Sequence, residues 1–113
     1  MKFTTSQAGT VAVVTLDGNL MGGPDASTLN AKLNELVDGG TKQVVIDLGG
    51  VQFMNSSGLG LLIGGASLLK NAGGGLKLAN ASEKIMALIK ITKLETLFDN
   101  YASVADAVAS FGP

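Results

Sequence analysis

The chain has 113 residues, a formal net charge of −1, no Cys and no His. That length suits one domain with a real hydrophobic core and no need of a disulfide or metal staple. The two missing residue types exclude thiolate chemistry and remove the commonest general base and zinc ligand, while scattered lysines and sparse aromatics provide neither a basic stripe nor a stacking platform for nucleic acid.

Phe3 to Gln7 reads as a short first strand, and Thr10 to Leu16, rich in β-branched residues, as a second. Ala8-Gly9 between them suits a tight hairpin. Asp17-Gly18 punctuates, and Asn19 to Gly23 reads as loop. Pro24 fits the first position of a helix, with Asp25 where the helix dipole favours a negative charge. Leu29, Leu33, Leu36 and Val37 form one apolar helical stripe, and Gly39-Gly40 ends it.

Val44 to Leu48 is a nearly continuous apolar run, the pattern of a central strand covered on both faces. Gly49-Gly50 and Val51 to Met54 lead to Asn55-Ser56-Ser57-Gly58-Leu59-Gly60, and a helix follows, ending near Gly73-Gly74-Gly75. Leu76 to Ala79 is a further short strand. Asn80 with Glu83 resembles a capping box for a helix that buries Ile85, Leu88 and Ile89. Phe98 to Tyr101 reads as a short edge strand, and Ser103 with Asp106 opens a last helix whose Val104, Val108 and Phe111 face inward.

The expected fold is therefore α/β: one domain over residues 1–113, with a mixed sheet of four or five strands packed with about four helices. The longest uncharged apolar stretch, Val51 to Leu69, is broken by Asn55, Ser56, Ser57 and glycines. Its apolar part falls short of the ~20 residues of a spanning helix. No apolar leader follows Met1. A cytoplasmic protein without membrane insertion is expected.

The informative stretch is Val44 to Gly65. A buried strand delivers two adjacent hydroxyls, Ser56 and Ser57, to a loop directly before a helix, the edge at which sites in open α/β sheets lie. Such serines can cap the helix by accepting its orphan N–H bonds. The same N–H groups and the dipole stabilise a phosphate placed there. Gly58, Gly60, Gly64 and Gly65 let the helix approach the sheet or a partner closely, at roughly 1 kcal/mol each against Ala in helix propensity. Asn-Ser-Ser-Gly is also an ordinary turn-and-cap composition, and on the residues alone both readings stand. A dinucleotide fingerprint at Gly58, Gly60 and Gly64 lacks the acidic residue after the next strand, where Asn80-Ala81-Ser82 follows. A nucleophilic serine has no His to activate it, and the spacing of Lys70 and Lys84 favours no Ser-Lys dyad. No residue is assigned a catalytic or metal-binding role and no cofactor is expected.

The run from Ile46 to Gly64 resembles the signature of the STAS-domain anti-sigma factor antagonists, in which Asp-Ser-Ser/Thr-Gly-Leu-Gly follows an apolar strand. The likeness extends over nearly the whole chain, through Leu16-Asp17-Gly18, the helix from about Pro24, the glycine link before Leu76, and Ile91-Thr92-Lys93-Leu94 to Phe98. It implies that Ser56 is a phosphate acceptor and that Asn55, Ser57, Gly58 and Leu59 shape a partner-binding loop, with Asn19, Leu20 and Met21 beside it. It implies a non-enzymatic partner switch. The unphosphorylated chain binds an anti-sigma factor that is also a serine kinase, phosphorylation releases it, and a metal-dependent serine phosphatase resets it. The same fold also serves as a binding subunit of transporters or other signalling assemblies, without a phosphorylation cycle. Asn55 departs from the usual Asp, and Gly18-Asn19-Leu20-Met21 lacks the family's frequent acidic residues. Leu20 and Met21 fit either a more hydrophobic interface or the core.

Overall fold

The computed structural model describes residues 2–21, 24–92 and 98–111, with the side chains of residues 24–26 left aside. Five strands lie in the spatial order β1-β2-β3-β4-β5. They are β1 (Lys2–Ala8), β2 (Val11–Leu20), β3 (Gln43–Met54), β4 (Gly75–Ala79) and β5 (Asp99–Tyr101). β1 and β2 form an antiparallel hairpin, and every later pairing is parallel. Among the described residues three helices join them, α1 (Pro24–Asp38), α2 (Ser56–Asn71) and α3 (Glu83–Ile91), and α4 (Val104–Ser110) follows β5. This is the mixed α/β architecture that the sequence predicts. The expected segment from Ile91 to Phe98 falls partly on residues 93–97, which lie outside the described residues.

The sheet is covered on both sides. Val14, Leu16, Ile46, Leu48 and Leu78 bury one face under Leu29, Leu33, Leu62, Leu69, Ile85 and Ile89 of α1, α2 and α3. Val11, Val13, Val45 and Ala79 face the other way, beneath Ala107 of α4. Alternate residues of β3 thus enter different cores, which is why Val44-Val45-Ile46 runs apolar without alternation. Gly40 and Gly73, at φ 93° and 90°, close α1 and α2 in the left-handed conformation that glycine adopts without penalty.

Three local expectations are corrected. β3 does not stop at Leu48 but runs to Met54, and β2 runs to Leu20, so Asn19 and Leu20 are strand residues and not loop. Gly49-Gly50 looks like punctuation, yet Gly50 lies within the ladder, paired with Asp17. A Cβ there would stand 2.8 Å from the Leu16 carbonyl oxygen and 2.9 Å from Asp17 Oδ1. The β2–β3 register shifts between Thr15 and Asp17 and again between Gly18 and Leu20, the mark of bulges that a close glycine permits. The third correction concerns α3, whose cap is Ser82, accepting from the Ile85 N–H at 3.3 Å. Asn80 sits at φ 60° and donates its amide to Asp47 Oδ1 at 3.0 Å. It ties β4 to β3 instead of opening the helix. Ser103 caps α4 as expected, but the residue α4 buries fully is Ala107, with Val104, Val108 and Phe111 half-buried around it.

α4 is short and held by few groups. Lys77 on β4 donates to Ser110 Oγ at 2.7 Å and lies 4.3 Å from the Phe111 ring centre. A half-exposed cation in that setting contributes about 1–2 kcal/mol through its bond and its ring contact together. Lys77→Met is expected to lower stability by about that amount. It should also raise amide exchange in α4 selectively, read by hydrogen–deuterium exchange.

Candidate functional site

β2 and β3 end side by side, with Leu20 opposite Met54. The chain leaves β3 at Asn55, which remains extended at φ −98° and ψ −177°. Its N–H reaches back to the Leu20 carbonyl at 3.4 Å. Its Oδ1 accepts the Gly58 N–H at 2.8 Å, and its carbonyl accepts the Leu59 N–H at 2.9 Å. Asn55 is thus the N-cap of α2, and Ser56 is the first helical residue. The sequence offers the serines as caps, but Asn55 takes that role and leaves both hydroxyls on an exposed ridge.

Gly58 fixes the height of this ridge. A Cβ on it would run into the Leu20 carbonyl group, with its carbon at 2.8 Å, and would meet Met54 Cγ at 3.0 Å. Only a bare backbone lets the first turn of α2 lie against the end of β2. Leu59 and Leu20 are fully buried beneath, so they support the loop from below and present no side chain to a partner. Asn19 is exposed, and Met21 is 43 % exposed. The exposed surface of the site is therefore Ser56 and Ser57 beside the half-buried Asn55, with Asn19 and Met21 at the end of the neighbouring strand.

The first turn of α2 holds no acidic residue. Its positive dipole end is therefore not offset by its own side chains, which suits an added anion. Among the described residues no three His, Cys, Asp or Glu side chains stand together as metal ligands would.

One feature escapes the sequence reading. β4 pairs with β3 only as far as Asp47, so the last residues of β3 run on without β4 beside them. Phe53 is left 50 % exposed there, two residues before Asn55. It lines an apolar groove with Lys84, Leu88 and Ile91 of α3, and Ile91 is 78 % exposed. In sequence Phe53 looks like an ordinary strand hydrophobe. Its exposure follows from a strand that outlasts its neighbour, which the Gly49-Gly50 pair disguises as a break.

Asn55→Ala is expected to cost about 1 kcal/mol of stability, because the Gly58 N–H loses its acceptor. Asn55→Asp keeps that acceptor and adds a charge at the positive end of α2, a gain of about 0.3–1 kcal/mol. Urea denaturation of the two variants checks both.

The model of the STAS domain matches residues 2–107. The chain belongs to the STAS domain family. Over 74 residues this STAS chain is 39 % identical to the anti-sigma-B factor antagonist of Bacillus subtilis, covering 66 % of this chain and 67 % of that one. Among solved structures, an anti-sigma factor antagonist from Mycobacterium paratuberculosis superposes with a TM-score of 0.84 at 23 % identity, covering 99 % of this chain and 94 % of the other. The phosphorylated form of SpoIIAA from Bacillus superposes at 0.75 with 22 % identity, covering 96 % and 98 %. At such identities the two structures establish the shared fold. No helix among the described residues of the STAS chain is long and apolar enough to cross a membrane.

Proposed function

We propose that this STAS chain is a cytoplasmic anti-sigma factor antagonist whose binding is switched by phosphorylation of Ser56. The observation that carries the reading is the exposed Ser56 at the first position of α2, left out of the helix cap by Asn55. A kinase can reach that hydroxyl without unfolding anything. The name of the Bacillus relative supports an anti-sigma factor as the partner. In the proposed cycle that partner is also a serine kinase and supplies ATP and magnesium, and a metal-dependent serine phosphatase restores the hydroxyl. The chain itself performs no catalysis in this scheme.

Docking would use the Asn55–Ser57 ridge with Asn19 and Met21 beside it, and the apolar rim at Phe53 adds hydrophobic area on the same edge. The test is affinity purification from the native cells with Ser56→Ala and Ser56→Glu baits. A histidine-kinase-like serine kinase recovered with the first and depleted at least tenfold with the second supports the switch. A transporter ATPase recovered equally by both overturns it in favour of a constitutive binding subunit.

A further inference from the structure

Among the described residues β1 is the last strand of its sheet, with β2 as its one strand neighbour. Its seven residues, Lys2–Ala8, are exposed apart from Phe3 and Ala8, which are half-buried. The opposite edge is different: β5 has three residues and opens on an acid, Asp99. Sheets guard long edges with proline, a charge in mid-strand, a bulge or a covering element, because an open edge templates further pairing. β1 has none of the first three. Its register with β2 is unbroken, and its single charge, Lys2, sits at one end.

The hairpin turn tells which backbone groups are free. Ala8 pairs with Val11 across the two-residue turn Gly9-Thr10, and Gly9 takes φ 65° at the first central position, as a type II′ turn requires. The pair closing such a turn exchanges both of its hydrogen bonds, and the pattern alternates from there. Ala8, Ser6, Thr4 and Lys2 therefore bond to β2. Phe3, Thr5 and Gln7 direct their N–H and C=O groups away from the sheet.

We propose that β1 pairs antiparallel with β1 of a second copy, about a two-fold axis at Thr5, to form one continuous sheet. This does not rest on the switch reading. The strand is self-complementary in that register. Thr5 meets Thr5, and Phe3 meets Gln7 in both directions, so all the outward groups of these residues bond reciprocally. Threonine opposite threonine is a favourable cross-strand pair. Lys2 meets Ala8, so no like charges oppose each other. Seven residues of edge contact bury less than the ~1,200 Å² of a standard stable interface, so the dimer exchanges with monomer, with a Kd roughly in the micromolar to millimolar range.

The test uses the full chain, which has no native Cys. Directly paired hydrogen-bonded residues lie about 5.5 Å apart at Cα, within disulfide range. Thr5→Cys should therefore oxidise to a covalent dimer at least tenfold faster than Thr4→Cys, whose two copies are offset along the strand. Sedimentation velocity should show concentration-dependent dimer for the unmodified chain and monomer for Thr5→Lys, which sets two cations face to face at an exposed position. An unchanged thermal midpoint shows that Thr5→Lys still folds. Equal cross-linking of the two cysteine variants, dimerisation that survives Thr5→Lys, or a monomer up to about 1 mM would overturn the proposal. Association only with a foreign extended peptide would likewise overturn it in favour of a heterologous edge.

Discussion

Gly58→Ala is expected to lower the unfolding free energy by about 2–4 kcal/mol, while Gly60→Ala, two residues further along the same helix, raises it by up to about 1 kcal/mol. What decides the sign at each site is what a methyl group would meet. At Gly58 it meets the Leu20 carbonyl group, which the β2–β3 ladder and the bond from Asn55 hold in place. Backbone cannot step aside as a flexible side-chain end can, so α2 must lift from the sheet or β2 must shift. Either movement also displaces Asn55 and Ser56. At Gly60 nothing lies within 4 Å, so alanine contributes its better helix propensity at no steric cost. Chemical denaturation of the two variants reads both signs, and equal effects would contradict the packing described here. Partner binding should fall with Gly58→Ala even below its unfolding temperature.

Phosphate on Ser56 is expected to weaken partner binding by about 100-fold or more, equivalent to about 2.7 kcal/mol or more, while leaving the thermal midpoint unchanged or higher. The group adds about −1.5 to −2 charges and three acceptor oxygens. Within the chain it stands at the positive end of α2, in a first turn without acidic residues, where the dipole and free N–H groups favour it. In the proposed switch the same dianion would have to lose water against a docked partner surface, and that penalty falls on the complex alone. Calorimetry of the chain with and without phosphate, beside titration of the isolated partner, separates the two effects. A phosphorylated chain that melts markedly lower would mean that release works through unfolding, not through the interface.

The layout of the fold was legible because its core is written plainly. The run Val44-Val45-Ile46 is apolar without alternation since β3 is covered on both faces, and the glycine groups that end α1 and α2 stand where the structure turns. What misled was glycine inside a strand. Gly18 and Gly50 look like loop residues, yet they carry two parallel strands through bulges, and only their neighbours in space reveal this. The same limit hid the division of labour at the site. Three small polar residues in a row can all cap a helix, and the backbone angles of Asn55 decide among them. Leu20 and Leu59 lie next to exposed residues in sequence, so their burial depends on the way β2 and α2 close over one another. Phe53 is the reverse case, a strand hydrophobe exposed because β4 ends early.

Intact-mass analysis of the protein isolated from its native cells, with Ser56→Ala alongside, tests the central claim most directly. The switch predicts a fraction of molecules heavier by one phosphate, varying with growth condition and absent in the Ser56→Ala protein. A phosphate that persists in that variant, or none under any condition with the partner still bound, would contradict it.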